Sequence, residues 1–169
     1  MRTPLTSATR TASRIAAAAL GLLFPGCSGP SAPSPPDIRW GEDVCSLCTM
    51  IISEQQHAAA AAVPAGRRWD YRVYDDIGCL LHDRAADSAK ARWVRDLDGA
   101  RWIPADSASF VMSPRLRTPM GSGIAAFSSR EGAGRLAGGD GAVILDWDGL
   151  RRRSRDTGVI APPPPADRP

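Results

Sequence analysis

The apolar and polar positions change rhythm several times between residues 58 and 145, and each change marks an element. Ala58 to Val63 is an unbroken run of small apolar residues closed by Pro64-Ala65-Gly66, the pattern of a strand running into a turn. Trp69, Tyr71 and Val73 then alternate with polar residues, as in a half-buried strand. Asp75-Asp76 can cap a helix on which Ile77, Leu80 and Leu81 share a face. Trp93-Val94 opens another strand, which Asp98-Gly99 ends. Arg101 to Ile103 and Phe110 to Met112 are short apolar pieces, with Asp106 placed to cap a turn of helix between them. Ile124 to Phe127 reads as a strand and Ser128-Ser129 as the cap of a short helix carrying Leu136. Gly138-Gly139 stops that helix, and Val143 to Leu145 is a last buried strand.

Tyr74-Asp75-Asp76, a helix and Trp93-Val94-Arg95-Asp96 thus parallel Phe127-Ser128-Ser129, a helix and Val143 to Asp146. The offset is roughly 50 residues, with negligible identity between the halves. This order predicts an α+β fold of two ββαβ-like units in one compact domain.

A length of 169 residues favours a single domain. Of 15 prolines, only Pro64, Pro104, Pro114 and Pro119 fall between residues 40 and 150, which places the folded unit there. Residues 1–26 read as a signal peptide: Arg2, Arg10 and Arg14 precede an apolar run from Ile15 to Phe24. That run is too short for a membrane span. Cys27 stands at the junction as a candidate for lipidation, although Phe24-Pro25-Gly26-Cys27 is an imperfect lipobox. Residues 27–39 are a Pro-rich tether. Residues 151–169, with Arg151-Arg152-Arg153 and Pro162 to Pro165, read as a disordered tail with almost nothing apolar to bury. Charge alters the picture little. Lys plus Arg number 21 against 18 Asp plus Glu, and removing the three leader arginines leaves 18 against 18. A basic nucleic-acid surface is not supported.

Candidate chemistry is narrow. The two histidines, His57 and His82, exclude a three-histidine metal site, and there is no phosphate loop, Rossmann glycine pattern or nucleophile elbow. Sulfur is the exception. Cys45-Ser46-Leu47-Cys48-Thr49-Met50 sets two thiols and a thioether within one short stretch. If that stretch is extended, positions 48 and 50 point to one side, so a thiolate and a thioether converge. A thioether is a poor ligand for zinc and a good one for Cu(I). Met120, in Thr118-Pro119-Met120-Gly121, offers a third soft donor on a loop where it has little packing value, whereas Met112 reads as core. Two other chemistries use the same thiols. Cys45, Cys48, Cys79 and His82 form a candidate zinc set, although Cys79-Leu80-Leu81 has the look of core. Cys45 and Cys48 alone form a Cys-x-x-Cys pair for thiol–disulfide exchange or a structural disulfide.

At these motifs the chain resembles the NosL family, copper-binding lipoproteins that accompany nitrous oxide reductase. The resemblance rests on Cys45 to Ile51, Tyr74 to Cys79, Trp93 to Asp96, Trp102 to Ala105, Thr118 to Gly121, Ala125 to Phe127 and Gly138-Gly139, in the family's order across residues 44–150. It departs from the family at Thr49, where glycine is usual. The resemblance implies a NosL-like fold over residues 40–150 and a Cu(I) carrier, not an enzyme, on the periplasmic side of the bacterial cell envelope. Carried over by motif, Cys48, Met50 and Met120 become the Cu(I) ligands. The role of Cys45 stays open between an outer partner, a redox gate that closes the site as a disulfide with Cys48, and a direct ligand. The implied partners are copper-receiving maturation proteins, nitrous oxide reductase and, through the lipid on Cys27, a membrane.

Overall fold

The computed structural model describes residues 31–138 and 141–157. Its first unit is built around β1 (Ala59–Ala65), which pairs antiparallel with β2 (Arg68–Tyr74) so that Ala59 faces Tyr74 and Ala65 faces Arg68. On the other edge of β1 lies β3 (Ala91–Arg95), also antiparallel, with Ala59 opposite Val94. β4 (Trp102–Pro104) extends β3, giving the order β2-β1-β3-β4. The second unit repeats the plan. β5 (Ser109–Met112) lies between β6 (Ile124–Phe127) and β7 (Val143–Leu145), both antiparallel to it, in the order β6-β5-β7. The helix α1 (Ile77–His82) joins β2 to β3 just as α2 (Arg130–Leu136) joins β6 to β7. The two ββαβ units expected from the spacing therefore form, with β4 as an added strand of the first.

The helix starts follow the side chains. The Asp76 carboxylate accepts the Gly78 N–H at 2.7 Å, and the Ser129 hydroxyl accepts the Gly132 N–H at 3.1 Å. Asp106 does not cap; it lies inside a 3-10 turn, Ala105–Ser107, that follows Pro104 without a side-chain cap.

The alternation along each strand sorts residues between cores. Ala59 and Ala61 enter the main core, while Ala60 and Ala62 pack with Trp93 on the opposite face. With apolar side chains at every position from Ala59 to Ala62, β1 can be covered on both faces. Phe110 and Met112 of β5 reach the same main core, and Val111 turns to Ala125, Phe127 and Ala133 of α2. The sheets are joined where the Leu97 N–H donates to the Ala126 carbonyl at 2.8 Å.

Two boundaries differ from those read in the sequence. Arg151 does not begin a disordered tail: α3 (Trp147–Thr157) runs through it. Trp147 and Leu150, one turn apart, are both buried and dock this helix, leaving its basic remainder to run along the surface. The tether also yields to the fold earlier than residue 40, because Ile38 is buried and the Trp69 indole N–H donates to the Ser31 carbonyl at 2.9 Å. The signal segment, Cys27, Gly139 and residues 158–169 lie outside the described residues.

Candidate metal centre

A bridge between Val44 and Ile51 closes a loop around the Cys-x-x-Cys pair. Inside it, the Cys45 N–H donates to the Met50 carbonyl (2.8 Å) and the Thr49 N–H to the Cys45 carbonyl (3.0 Å). Ser46 hooks the loop onto β2: its N–H donates to the Val73 carbonyl (2.8 Å), and its hydroxyl accepts the Val73 N–H (3.0 Å). Cys45 to Met50 is thus a tight turn, not the extended stretch that would align positions 48 and 50. Thr49 closes the turn with φ +63°, left-handed backbone that explains why glycine suits this position.

The turn brings Cys45 and Cys48 to Cys79, which projects from α1. The three sulfur atoms lie within 4.8 Å of one another, and all three are free thiols. Cys45 and Cys79 are buried and Cys48 is half-buried. Within the cluster the charge is unequally held. Cys45 accepts a hydrogen bond from Cys79 and backbone N–H groups from Cys48, Asp75 and Leu47, which outweigh burial and bring its thiol down to about 4. Burial and the neighbouring Cys45 charge push Cys48 up. Cys79 is also pushed up, first by its hydrogen bond to Cys45 and then by burial. The three shifts favour a thiolate on Cys45 and the protonated form on Cys48 and Cys79.

Met50 is 53% exposed and Met120 43%; Val44, Leu47 and Ile51, near Met50 in the chain, are exposed as well. The Met120 loop is fixed by Asp76, the same residue that caps α1. One Asp76 oxygen accepts the Thr118 hydroxyl (2.7 Å) and the Met120 N–H (3.0 Å), and the other accepts the Gly78 N–H and the Ser122 hydroxyl. Gly78 permits this approach, since a Cβ there would lie 2.7 Å from the Ser122 Cβ. Met120 is therefore tied to the helix start one turn before Cys79.

Of the residues singled out in the sequence, Cys45 and Cys48 meet, Met112 is core, and the four-ligand zinc set does not assemble. Its three cysteines converge, but among the described residues His82 does not join them. Its place in the last turn of α1 carries it elsewhere. No helix begins at the Cys-x-x-Cys pair, so the strand-to-helix junction that lowers the attacking thiol's pKa in redox motifs is missing here. Cys79 was legible only as a core cysteine or as part of the zinc set; as a member of an all-sulfur cluster it emerges from the fold. Asp76 gave its signal as a helix cap, with no trace in the sequence of its hold on the distant loop.

The NosL family model matches residues 40–154, well over half of the chain. The chain belongs to the NosL family. Among solved structures it is similar to the crystal structure of the copper chaperone NosL from Shewanella denitrificans, with a TM-score of 0.58 and 18% identity, covering 69% of this chain and 96% of that one. The shared feature at that identity is the NosL fold. No curated protein matches the chain. The sulfur cluster, the Met120 loop and α1 all lie within the residues that the family model spans.

Proposed function

We propose that this NosL-family chain is a Cu(I) metallochaperone, exported and lipid-anchored through Cys27, that carries copper on the periplasmic side toward maturation of nitrous oxide reductase. One observation carries the reading: three free sulfurs gathered within 4.8 Å, with no His, Asp or Glu ligand in the group among the described residues. Such donors suit a soft monovalent ion and disfavour hard cations. The NosL neighbour, named as a copper chaperone, supports the same choice of metal. Cys48, at the boundary between the buried thiols and the surface, holds Cu(I) together with Met50 and Met120. A low-coordinate ion there is open to an acceptor's sulfur or nitrogen before the donor's ligands leave. Binding and transfer complete the function, with no catalytic turnover.

The convergence of Cys79 favours a second reading, in which Cys45, Cys48 and Cys79 hold the ion themselves. Titrating the reduced full chain with Cu(I) separates the two. Thioether ligation predicts one Cu(I) per chain and affinity at least about tenfold weaker in Met50→Ala and in Met120→Ala. Unchanged affinity in both, with loss in Cys79→Ser, transfers the site to the three thiols. Tight Zn(II) binding without tight Cu(I) binding rejects the copper reading altogether.

A further inference from the structure

Away from the sulfur cluster, a cavity of about 330 Å³ opens between the end of α1, the 3-10 turn Arg84–Ser88 and α3. Its walls include His82, Arg84, Arg92, Trp147, Arg151 and Arg155. Four guanidinium groups face a single acid, Asp87, which lies 3.9 Å from Arg151 at the limit of an ion pair. Arg92 spends one nitrogen on the carbonyls of Ala86 (2.7 Å) and Asp87 (3.1 Å), and its guanidinium lies 6.0 Å from the centre of the Trp147 ring. Among the described residues no carboxylate pairs with Arg84, Arg92 or Arg155. Burial and the charge of Arg151 both oppose the Arg92 cation, offset in part by Asp106 and Asp87. A second feature is independent of charge. The Trp147 indole N–H is buried and has no hydrogen-bond partner among the described residues, an expensive arrangement for a donor.

We propose that this cleft is a binding site for a phosphate group. Four arginines against one aspartate leave an excess of about three positive charges, which a phosphate offsets better than a single carboxylate. Guanidinium forks match its oxygens, and the Trp147 ring, which Arg92 overlies, forms part of the same wall. The cavity is large enough for a substituted phosphate. The ligand is either a soluble phosphate or the headgroup of an anionic phospholipid, and the pocket chemistry is common to both. The inference does not depend on the copper reading, because none of these residues belongs to the sulfur cluster.

The test follows the Trp147 indole N–H resonance of the full chain in an uncharged maltoside detergent, assigned with Trp147→Phe, while inorganic phosphate is added. The expected result is a saturable shift whose midpoint rises at least about tenfold in Arg84→Gln and in Arg155→Gln. Both side chains are exposed, so neither change threatens folding. Co-sedimentation with phosphatidylglycerol vesicles then separates the sources. Retention lost in the same variants supports a lipid headgroup; retention equal to wild type, with the phosphate shift still arginine-dependent, supports a soluble phosphate. No saturable shift, or the same midpoint in both variants, overturns the proposal.

Discussion

Thr49 and Cys45 show how much one residue settles at this site. A β-branched residue at φ +63° costs about 1–2 kcal/mol, because its Cβ crowds the following carbonyl. Thr49→Gly relieves that strain but adds freedom to the unfolded chain. It should therefore raise the unfolding free energy by about 1 kcal/mol in urea denaturation while leaving copper stoichiometry unchanged. Cys45 sets the pH behaviour. Its folded pKa is depressed to about 4, below that of an ordinary thiol. The stabilisation it provides is thus complete above the ordinary thiol pKa and declines as pH falls through the folded value. Thiolate ultraviolet absorbance in the metal-free protein should accordingly persist to about pH 4 and vanish in Cys45→Ser. Cys48 behaves oppositely: because its pKa is raised, it is protonated at neutral pH and must release that proton to bind. Cu(I) affinity should then climb about tenfold per pH unit between roughly pH 5 and 8. A flat profile would mean that Cys45 alone supplies the anionic ligand.

At the scale of elements, Asp83 holds β2, α1 and the following turn together. Its carboxylate accepts from the Arg72 guanidinium (2.6 Å), the Tyr74 hydroxyl (2.8 Å) and the Ala85 N–H (2.9 Å). Burial pushes its pKa up, but Tyr74, Arg72 and the Ala85 N–H win, and the net shift is downward. A depressed carboxylate stabilises the fold above its unfolded pKa of about 3.9 and loses that contribution as pH drops through the folded value. Asp83→Asn should cost about 2–3 kcal/mol at neutral pH and flatten the acid limb of the stability profile. Chemical denaturation from neutral pH down to about pH 3 measures both. The helix α3 illustrates an element set by few residues. Two buried side chains, Trp147 and Leu150, hold it in place, and such a pair followed by arginines carries too little apolar periodicity to announce a helix.

Across the whole molecule, Asp76 joins the two units through four donors: the Gly78 and Met120 N–H groups and the Thr118 and Ser122 hydroxyls. All four donate, so a carboxylate, which only accepts, fits and an amide does not. Asp76→Asn sets a donor against donors and should cost about 3 kcal/mol. It should also weaken Cu(I) binding about tenfold by loosening the Met120 loop. Intact binding in a destabilised Asp76→Asn protein would argue against Met120 as a ligand.

The strands β1, β2, β3, β6 and β7, both capped helices and the repeat of the two units were readable in the sequence, because hydrophobic period, turn residues and caps act over a few positions, whereas β4 and β5 showed only as short apolar pieces. So was the sulfur-rich character of Cys45 to Met50. The turn at Thr49, the meeting of Cys79 with the Cys-x-x-Cys pair, the exclusion of His82 and the anchoring of the Met120 loop by Asp76 were decided only by the tertiary structure. Each depends on atoms distant in sequence or on a local backbone state that no neighbouring residue prescribes. The chain order fixes which donors exist, but packing determines which of them share a space and which sulfur carries the charge.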